Sequence, residues 1–334
     1  MHLALKPLSQ QVIVVTGASS GIGLVTARMA ANQGAKVVVA ARNAPALHRL
    51  VREIEEQGGQ ALAVPTDVTH DNDVHRLADA ALRRFRGFDT WVNNAGISIY
   101  GRIEEVSLED QRQLFETNFW GLVYGSKVAV EHLRRRGGAL INVGSVLSDR
   151  AIPLQGMYSA SKHAVKAFTD ALRMELEHDG VPVSVTLVKP SAINTPYTTH
   201  ARNYLPVEPQ NPPPVYAPEL VAHAILRAAQ VPTRDIVIGG GGRAMTMAGV
   251  YAPRLIDKVM EWTMFNLQKS KRPTSKPHDA LFRPGEDLRE EGDYPGYVRR
   301  TSTYLAASEH PIVTAAMAIG AGLMLAGWLG GSHD

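Results

Sequence analysis

The stretch Val12-Ile-Val-Val-Thr-Gly-Ala-Ser-Ser-Gly-Ile-Gly23 decides the fold of this chain. Its first part is apolar and β-branched, which predicts a buried strand, and a helical pattern follows the glycines to about Gln33. Glycines between a strand and a helix permit a tight turn and let the backbone approach a pyrophosphate, whose charge then lies at the helix N-terminus. The stretch therefore predicts a dinucleotide-binding loop. Its expected contact residues are Gly17, Ser19, Ser20, Gly21, Ile22 and Gly23.

The same alternation of short apolar runs and amphipathic stretches continues to about residue 240. It is typical of repeated βαβ units, and strands that are apolar throughout indicate a parallel sheet covered on both faces. We expect an α/β domain over residues 1–240, a doubly wound, Rossmann-like layer with a seven-stranded parallel sheet. The predicted strands lie near residues 11–15, 36–41, 60–64, 89–92, 139–144, 182–188 and 235–238.

Composition narrows the range of functions. The 334 residues carry a formal net charge of +3 with the basic residues spread out, so nucleic acid is not an expected partner. There are no cysteines, which excludes disulfides and thiol chemistry, and the 12 histidines show no metal-ligand spacing, so no metal site is expected. The N-terminus has no recognisable secretion signal, and we expect a cytoplasmic catalytic domain.

The end of the second strand bears on the choice of cofactor. In many such folds a carboxylate at this place accepts hydrogen bonds from the adenosine ribose, but here the strand ends Val39-Ala-Ala-Arg42. A guanidinium could hold a 2′-phosphate, which an aspartate would repel. We therefore expect NADP, with NAD less favoured. In the alternative, Arg42 is a solvated residue that leads into the next helix.

A candidate catalytic pair lies in an amphipathic stretch from Met157 to Glu177. Tyr158 and Lys162 are four residues apart and so share one helix face. A lysine ammonium stabilises a phenolate and lowers the pKa of the tyrosine, so the pair can act as general acid or base on an alcohol or carbonyl. Ser145 follows an apolar strand, at the sheet edge where sites of this fold lie. Singly, each residue also has a purely structural explanation.

Five ordered motifs resemble those of the short-chain dehydrogenase/reductase family, over about residues 9–240. They are TGASSGIG at Thr16 to Gly23, NNAG at Asn93 to Gly96, Asn118, Ser145, and YSASK at Tyr158 to Lys162. The first and last motifs are similar to those of the compact subtype, which acts on alcohols and ketones.

The resemblance implies a role for each catalytic position. Tyr158 would be the acid and base, Lys162 would hold the nicotinamide ribose and lower the tyrosine pKa, and Ser145 would orient the substrate oxygen. Asn118 would keep a water in a proton relay behind Lys162. Asn93 is more simply explained as a residue that shapes the turn after the fourth strand.

The resemblance also implies further cofactor contacts. They are Asp67 and Val68 at the adenine, Asn94, Ala95 and Gly96 at the adenosine ribose, and Pro190, Ile193 and Thr195 near the nicotinamide amide. The family usually has glycine where this chain has Ser191. That departure puts the local backbone in question, because serine enters the positive-φ region less readily than glycine.

The last third of the chain does not continue the alternation of short apolar runs and amphipathic stretches. Residues 196–218 contain seven prolines, so they predict a long loop, either a lid over the site or a surface linker. Residues 241–310 form an extension in which residues 243–270 look helical. Residues 271–300 are polar and without periodicity, which indicates a tail rather than a second domain.

Residues 311–331 predict an apolar helix, because Ile312 to Leu329 is a run of 18 residues without a charge. At about 1.5 Å per residue such a helix almost spans a hydrocarbon core of about 30 Å, so membrane attachment is expected. Small residues recur along it, and docking on the protein itself or on a partner subunit is the alternative. Arg299 and Arg300 precede it, which would leave the catalytic domain in the cytoplasm.

These patterns together predict an NADP(H)-dependent oxidoreductase that interconverts an alcohol and its carbonyl on a small lipophilic substrate. The alternative is a redox sensor that binds the dinucleotide without catalysis. The resemblance further implies a homo-oligomer, paired through helices at about residues 107–133 and 157–178.

Overall fold

The computed structural model describes residues 3–274, 279–285 and 288–309, and in them the central sheet has seven parallel strands, as predicted. The strands are β1 Val12–Thr16, β2 Lys36–Ala41, β3 Gln60–Pro65, β4 Thr90–Asn93, β5 Gly138–Val143, β6 Val183–Pro190 and β7 Asp235–Ile238. Their order in the sheet is β7-β6-β5-β4-β1-β2-β3. The order reverses between β1 and β4, which is where ligands bind in open α/β sheets.

Helices cover both faces of this sheet. Their bounds are α1 Gly21–Asn32, α2 Ala44–Glu56, α3 Asp71–Phe85, α4 Leu108–Phe115, α5 Gly121–Arg136, α6 Gly156–His178, α7 Pro218–Ala228, α8 Gly240–Tyr251, α9 Pro253–Leu267 and α10 Thr303–Glu309. Short 3₁₀ turns span Leu8–Gln10 and Val146–Ser148, and a π-helical turn spans Glu116–Trp120. One apolar core joins the sheet to α1, α2 and α7, and a second joins it to α3, α5 and α6. The strands are nearly continuous in apolar residues because helices cover both faces of the sheet, as the sequence predicts.

The segment predicted to be helical, residues 243–270, is helical over most of its length, and it forms two helices. α8 ends at Tyr251 and α9 begins at Pro253. Proline has no N–H to donate and its ring clashes with the carbonyl one turn earlier, so it starts a helix far more easily than it continues one. The chain therefore turns at Ala252, and α9 runs in a new direction with contacts back to α8.

The proline-rich segment 196–218 is more ordered than the predicted loop. It contains a short helix, Tyr197–His200, and three short strands that pair with other parts of the chain. The pairs are Arg202–Asn203 with Ile99–Tyr100, Val207–Pro209 with Lys269–Pro273, and Val215–Tyr216 with Val298–Arg299. Two of the three partners belong to the extension, so the segment lies between the core and the C-terminal part of the chain.

The polar residues predicted as a tail pack against the dinucleotide-binding end of the sheet. We call residues 279–285 and 288–291 the strap. Its Arg289 carbonyl accepts a hydrogen bond from the Gly21 amide at 2.9 Å, and its Leu288 amide donates to the Ser19 carbonyl at 2.7 Å. Glu290 forms an ion pair with Arg28 of α1 at 2.8 Å. The strap is thus held to the glycine-rich loop by backbone hydrogen bonds and to α1 by an ion pair.

The predicted apolar helix at residues 311–331, with the run from Ile312 to Leu329, lies outside the described residues. In the part of the chain that the structure describes, no helix has both the length and the apolar character needed to cross a membrane.

Candidate active site

A single cleft at the C-terminal edge of the sheet brings together nearly all the predicted site residues. Predicted residues that line it are Gly17, Ser19, Ser20, Gly21, Ile22, Arg42, Asp67, Val68, Asn94, Ala95, Gly96, Ser145, Tyr158, Lys162, Pro190, Ile193 and Thr195. Gly23 and Asn118 lie behind its wall. Residues separated by more than 170 positions in the sequence therefore meet in one place.

The glycine-rich loop has the close packing that a phosphate-binding turn needs. Gly17 and Gly21 have φ of 66° and 50°, in the left-handed region that favours glycine. A Cβ added at Gly23 would lie 2.2 Å from the Gly17 carbonyl oxygen, so no side chain fits there. The loop ends at the N-terminus of α1, where the helix dipole favours an anion. These residues fit a dinucleotide pyrophosphate.

The NNAG segment is fastened directly to this loop. The Asn94 side chain donates to the carbonyl oxygens of Thr16 and Gly17 at 3.0 and 3.3 Å, and the Thr16 hydroxyl accepts from the Asn94 and Ala95 amides. Asn93, by contrast, points into the protein, where its amide bonds to Asn142, Ser126 and the Leu122 carbonyl. Asn93 therefore joins β4 to its neighbours, in keeping with a structural role.

Arg42 lies at the end of β2, but it is not a free solvated residue. Its guanidinium donates to the strap carbonyls of Ala280, Leu281 and Arg283, at 2.5, 3.3 and 3.2 Å. The neighbouring Asn43 amide donates to the Gly285 carbonyl at 3.0 Å. The strap therefore forms the outer wall of the cleft at the position expected for the adenosine end of a dinucleotide.

The two residues predicted to contact the adenine follow β3. The Asp67 carboxylate accepts hydrogen bonds from the amide and hydroxyl of Thr69, at 3.0 and 2.8 Å, which closes a local turn. Val68 packs against Gly121 at the start of α5, where a Cβ would lie 2.8 Å from the valine side chain. The turn holds both residues at the edge of the cleft.

The first two turns of α6 supply Tyr158 and Lys162. Both side chains are buried, at 9% and 4% exposure, and the Lys162 Nζ lies 5.7 Å from the centre of the tyrosine ring. Lys162 donates to the Val143 carbonyl at 2.9 Å, and burial lowers its pKa to about 8. Burial raises the pKa of Tyr158, while hydrogen bonds with Tyr197 and Ser145 lower it. Tyr158 is therefore a neutral phenol, and the neighbouring Lys162 ammonium stabilises its ionised form.

Ser145 begins the 3₁₀ turn that follows β5. Its hydroxyl accepts from the Leu147 amide at 3.0 Å, and its own amide donates to the Ser148 hydroxyl at 3.2 Å, which together form a capping box. This pair of bonds fixes the serine side chain in the cleft, which Tyr158 also lines. The serine hydroxyl donates to the Pro190 carbonyl at 3.5 Å, and Ser145 contributes to lowering the pKa of Tyr158.

Asn118 lies in the π-helical turn between α4 and α5, a type of irregularity that is frequent at functional sites. Its side chain bonds both to the Ile97 amide and to the Ile97 carbonyl, at 2.8 and 2.9 Å. Gly96 lies between it and Lys162, because a Cβ there would be 3.4 Å from the Asn118 oxygen and 3.7 Å from the lysine Nζ. Asn118 fixes the chain directly behind the lysine.

The segment after β6 completes the cleft. Among the described residues other than glycine, only Arg86, Leu154 and Leu288 have positive φ, so Ser191 has an ordinary backbone and its difference from the family glycine causes no strain. Thr195 approaches Gly21, where a Cβ would meet the threonine side chain at 3.0 Å. The predicted nicotinamide-side residues thus lie opposite the glycine-rich loop.

Sequence reasoning missed three kinds of site residue. Tyr197 and Gln155 contact the Tyr158 region, Gln268 of the extension reaches Gln155, and the strap covers the adenosine end. Tyr197 could have been found, because it follows Thr195 at the sheet edge. The strap could not, because it binds through backbone carbonyls, which have no sequence signature.

Replacing Lys162 with methionine is expected to remove a pH dependence of stability. The folded lysine releases its proton near pH 8 and the unfolded one near 10.5, so the unfolded chain binds more protons in between. The free energy of unfolding of the unmutated protein should therefore rise by about 2 kcal/mol, relative to Lys162→Met, between about pH 7.5 and 9.5. Urea unfolding at both pH values measures this. A constant difference between the two proteins would contradict the lowered pKa.

Comparison with known proteins gives a consistent result. A family model described as short chain dehydrogenase matches residues 11–205. An uncharacterized oxidoreductase of Bacillus subtilis, YxnA, is 48% identical over 322 residues, which is 95% of this chain and 90% of that protein. The 3beta-hydroxysteroid dehydrogenase 1 of Eggerthella lenta is 36% identical over 192 residues, 57% of this chain and 73% of that protein.

Two solved structures are similar at lower identity. An alcohol dehydrogenase from the archaeon Thermococcus sibiricus, complexed with 5-hydroxy-NADP, has a TM-score of 0.61 and 27% identity, covering 68% of this chain and 95% of the other. A short-chain dehydrogenase/reductase from Burkholderia phymatum in complex with NAD has a TM-score of 0.64 and 26% identity, covering 81% and 100%.

Proposed function

Because the chain belongs to the short-chain dehydrogenase family of nicotinamide-dependent oxidoreductases, we propose that it interconverts an alcohol and its carbonyl with NADP(H), using Tyr158 as general acid and base. One observation carries the proposal. Tyr158, Lys162 and Ser145 converge in the same cleft as the glycine-rich loop, at the C-terminal edge of the sheet. The non-catalytic redox sensor is disfavoured, because it gives no reason for a buried lysine beside a buried tyrosine at that place.

Each residue of the site has a chemical task in this proposal. When bound, the nicotinamide supplies or accepts the hydride. Tyr158 gives its proton to the substrate oxygen during reduction and takes it back during oxidation, while Ser145 donates a hydrogen bond to the same oxygen. Lys162 stabilises the phenolate that forms and holds the nicotinamide ribose, and Asn118 fixes the chain behind the lysine.

A lipophilic substrate is proposed from the apolar packing around Tyr158. Tyr158 belongs to a cluster of buried apolar side chains that includes Ile97, which also lines the cleft, Leu147 from the core, and Met260 and Leu281 from the extension. Apolar surroundings of the proposed catalytic tyrosine favour apolar substrates, since their burial contributes about 25 cal/mol per Å². The steroid named for the Eggerthella lenta relative agrees with this class.

The direct test is a panel of alcohols and ketones, monitored through the absorbance of NADPH and NADH. We expect turnover with apolar ketones and NADPH, and little with small charged substrates. A protein that binds NADPH but turns over no member of a broad panel would favour the redox sensor.

The preference for NADP is proposed from Arg42, which lines the cleft at a strand end that has no carboxylate. Replacing Arg42 with aspartate is expected to lower the ratio of kcat/KM for NADPH to that for NADH by about 10- to 100-fold, because a charge-assisted bond to phosphate is lost and a repulsion is added.

The two cofactors provide each other's control in this experiment, because Arg42 also holds the strap. Release of the strap would weaken the binding of NADPH and of NADH to a similar extent. Loss of the phosphate contact would weaken the binding of NADPH alone. An unchanged ratio would show that another residue reads the phosphate.

Two further features stay proposals. Pairing of subunits through α4, α5 and α6 is supported by exposed apolar side chains, including Met174 on α6 and Trp120 in the π-helical turn before α5, at 60% and 43% exposure. Membrane attachment through Ile312 to Leu329 rests on the sequence alone. Exposed Tyr251, Leu255 and Trp262 on α8 and α9 agree with an apolar partner for these two helices.

A further inference from the structure

One largely buried carboxylate joins three chain segments at the end of the cleft where the proposed catalytic residues lie. Asp149 directly follows the 3₁₀ turn Val146–Ser148, and its carboxylate accepts hydrogen bonds from Lys166 at 2.6 Å and from Lys189 at 3.0 Å. The side chains of Asp149 and Lys189 are 15% and 6% exposed, so water competes little for the bond between them. None of these three charged residues lines the cleft itself.

The bond to Lys166 acts on the helix that carries the proposed acid and base. Tyr158, Lys162 and Lys166 follow one another at intervals of four residues in α6, so they share one face of the helix. In the part of the chain that the structure describes, Asp149 is the only ion-pair partner of Lys166. The bond between them therefore limits how far this helix face can rotate or slide along the sheet.

The bond to Lys189 acts on the end of β6. Lys189 directly precedes Pro190, which lines the cleft and whose carbonyl accepts a hydrogen bond from the Ser145 hydroxyl at 3.5 Å. Ser145 and Asp149 flank the same turn, which is closed by a hydrogen bond from the Asp149 amide to the Val146 carbonyl at 3.1 Å. A displacement of Asp149 is therefore passed on to the turn that presents Ser145 to the cleft.

The charges around Asp149 balance one another. Lys166 and Lys189 face Asp149, and Asp235 at the start of β7 lies 3.8 Å from Lys189. The next residue in the chain, Arg150, forms its ion pair with α9 instead. Burial by itself would raise the pKa of Asp149, but the hydrogen bonds from the two lysines lower it below its ordinary value. The carboxylate is therefore ionised at neutral pH, and both ion pairs are present there.

We propose that Asp149 is a positioning residue, whose carboxylate holds the turn with Ser145, the α6 face with Tyr158 and the end of β6 in the arrangement that proton transfer to the substrate needs. The inference rests on the proposed function of this site. An asparagine cannot take over the role. The two lysines bond to different carboxylate oxygens, so one of them would face the amide nitrogen, which is also a donor.

The test begins with Asp149→Asn. We expect kcat for carbonyl reduction to fall by about 10- to 100-fold, because misplacement of reacting groups by about 1 Å has an effect of this size. The dissociation constant for NADPH should change by less than about threefold, since Asp149 makes no contact with the glycine-rich loop. Fluorescence titration also gives the stoichiometry of NADPH binding, so kcat can be expressed per binding-competent chain. Asp149→Glu keeps the charge and both acceptor oxygens, and it should recover most of the lost kcat.

Asp170→Asn is the matched control for this experiment. Asp170 also lies on α6, and its carboxylate pairs with two cations, Arg173 at 2.7 Å and Arg234 at 3.1 Å, with 25% of its side chain exposed. Neither Asp170 nor its partners line the cleft. The substitution therefore reports the general effect of breaking such a cluster on this helix. We expect an unchanged kcat per NADPH-binding chain.

The outcomes separate positioning from a general loss of stability. An unchanged kcat in Asp149→Asn, an equal loss in Asp170→Asn, or a failure of Asp149→Glu to recover activity would each overturn the proposal. Lys166→Met removes the bond to α6 alone and decides the question if Asp149→Asn does not fold. An unchanged kcat in that variant would overturn the proposal too. Full activity in Tyr158→Phe would refute the proposed function instead, and the inference would fall with it.

Discussion

Tyr158→Phe is expected to lower kcat/KM for carbonyl reduction by about 10²- to 10⁴-fold, with the dissociation constant for NADPH changed by less than about twofold. The change removes a hydroxyl whose pKa Ser145 helps to lower, on a ring whose centre lies 5.7 Å from the Lys162 Nζ. The ring itself remains, so the packing of the cleft is kept. Steady-state kinetics and fluorescence titration with NADPH measure the two quantities separately.

Tyr251→Phe is the matched control for this experiment. Tyr251 lies at the end of α8 with 82% of its surface exposed, and it does not line the cleft, so the same kind of hydroxyl is removed outside the site. We expect unchanged kinetics in that variant. Retained activity in Tyr158→Phe would show that another group moves the proton, and loss of NADPH binding would show that the substitution damages the cleft.

Gly23→Ala is the second substitution with a large expected effect. The new Cβ would lie 2.2 Å from the Gly17 carbonyl oxygen and 2.6 Å from the Asn94 Nδ2, so the loop or the NNAG segment must move. Overpacking of this kind costs about 1–3 kcal/mol, and we expect that loss in the free energy of unfolding. Because the displaced atoms form the proposed pyrophosphate cradle, affinity for NADPH should fall at least about tenfold.

Gly58→Ala is the control that separates an effect on the glycine-rich loop from the general effect of replacing a glycine. Gly58 has φ of 84°, and a Cβ there would meet nothing within 4 Å. Gly58→Ala therefore adds backbone strain of about 1 kcal/mol without a clash, and it should leave cofactor affinity unchanged. Equal affinities for NADPH in Gly23→Ala and Gly58→Ala would contradict the proposed role of the loop.

The sequence predicts the sheet well because its signal is local. Every predicted strand occurs within two residues of its expected bounds, since a strand buried on both faces must be apolar along its whole length. The proposed catalytic residues are also predictable, because Tyr158 and Lys162 share one helix face and Ser145 follows the end of a strand. Pro253 shows the limit of periodicity, as an apolar pattern continues across a residue at which the helix itself cannot continue.

The remaining parts of the site depend on contacts that sequence patterns do not encode. Gln268 lies 113 residues from Gln155, and nothing in either neighbourhood marks the two amides as partners. Arg42 shows the same limit. Its position at the end of β2 is predictable, but its bonds to the strap depend on where a polar, aperiodic segment returns in three dimensions.

The strap has a consequence for how this protein can change over evolutionary time. It holds Arg42 and Gly21 through the carbonyls of Ala280, Leu281, Arg283 and Arg289, and a carbonyl is present whatever the side chain. Selection on these contacts therefore constrains the length and path of the segment and leaves residue identity free to drift. Descendants that keep the strap should be recognised by an arginine after the second strand and by a constant number of residues beyond α9. A shared motif within the strap is not required.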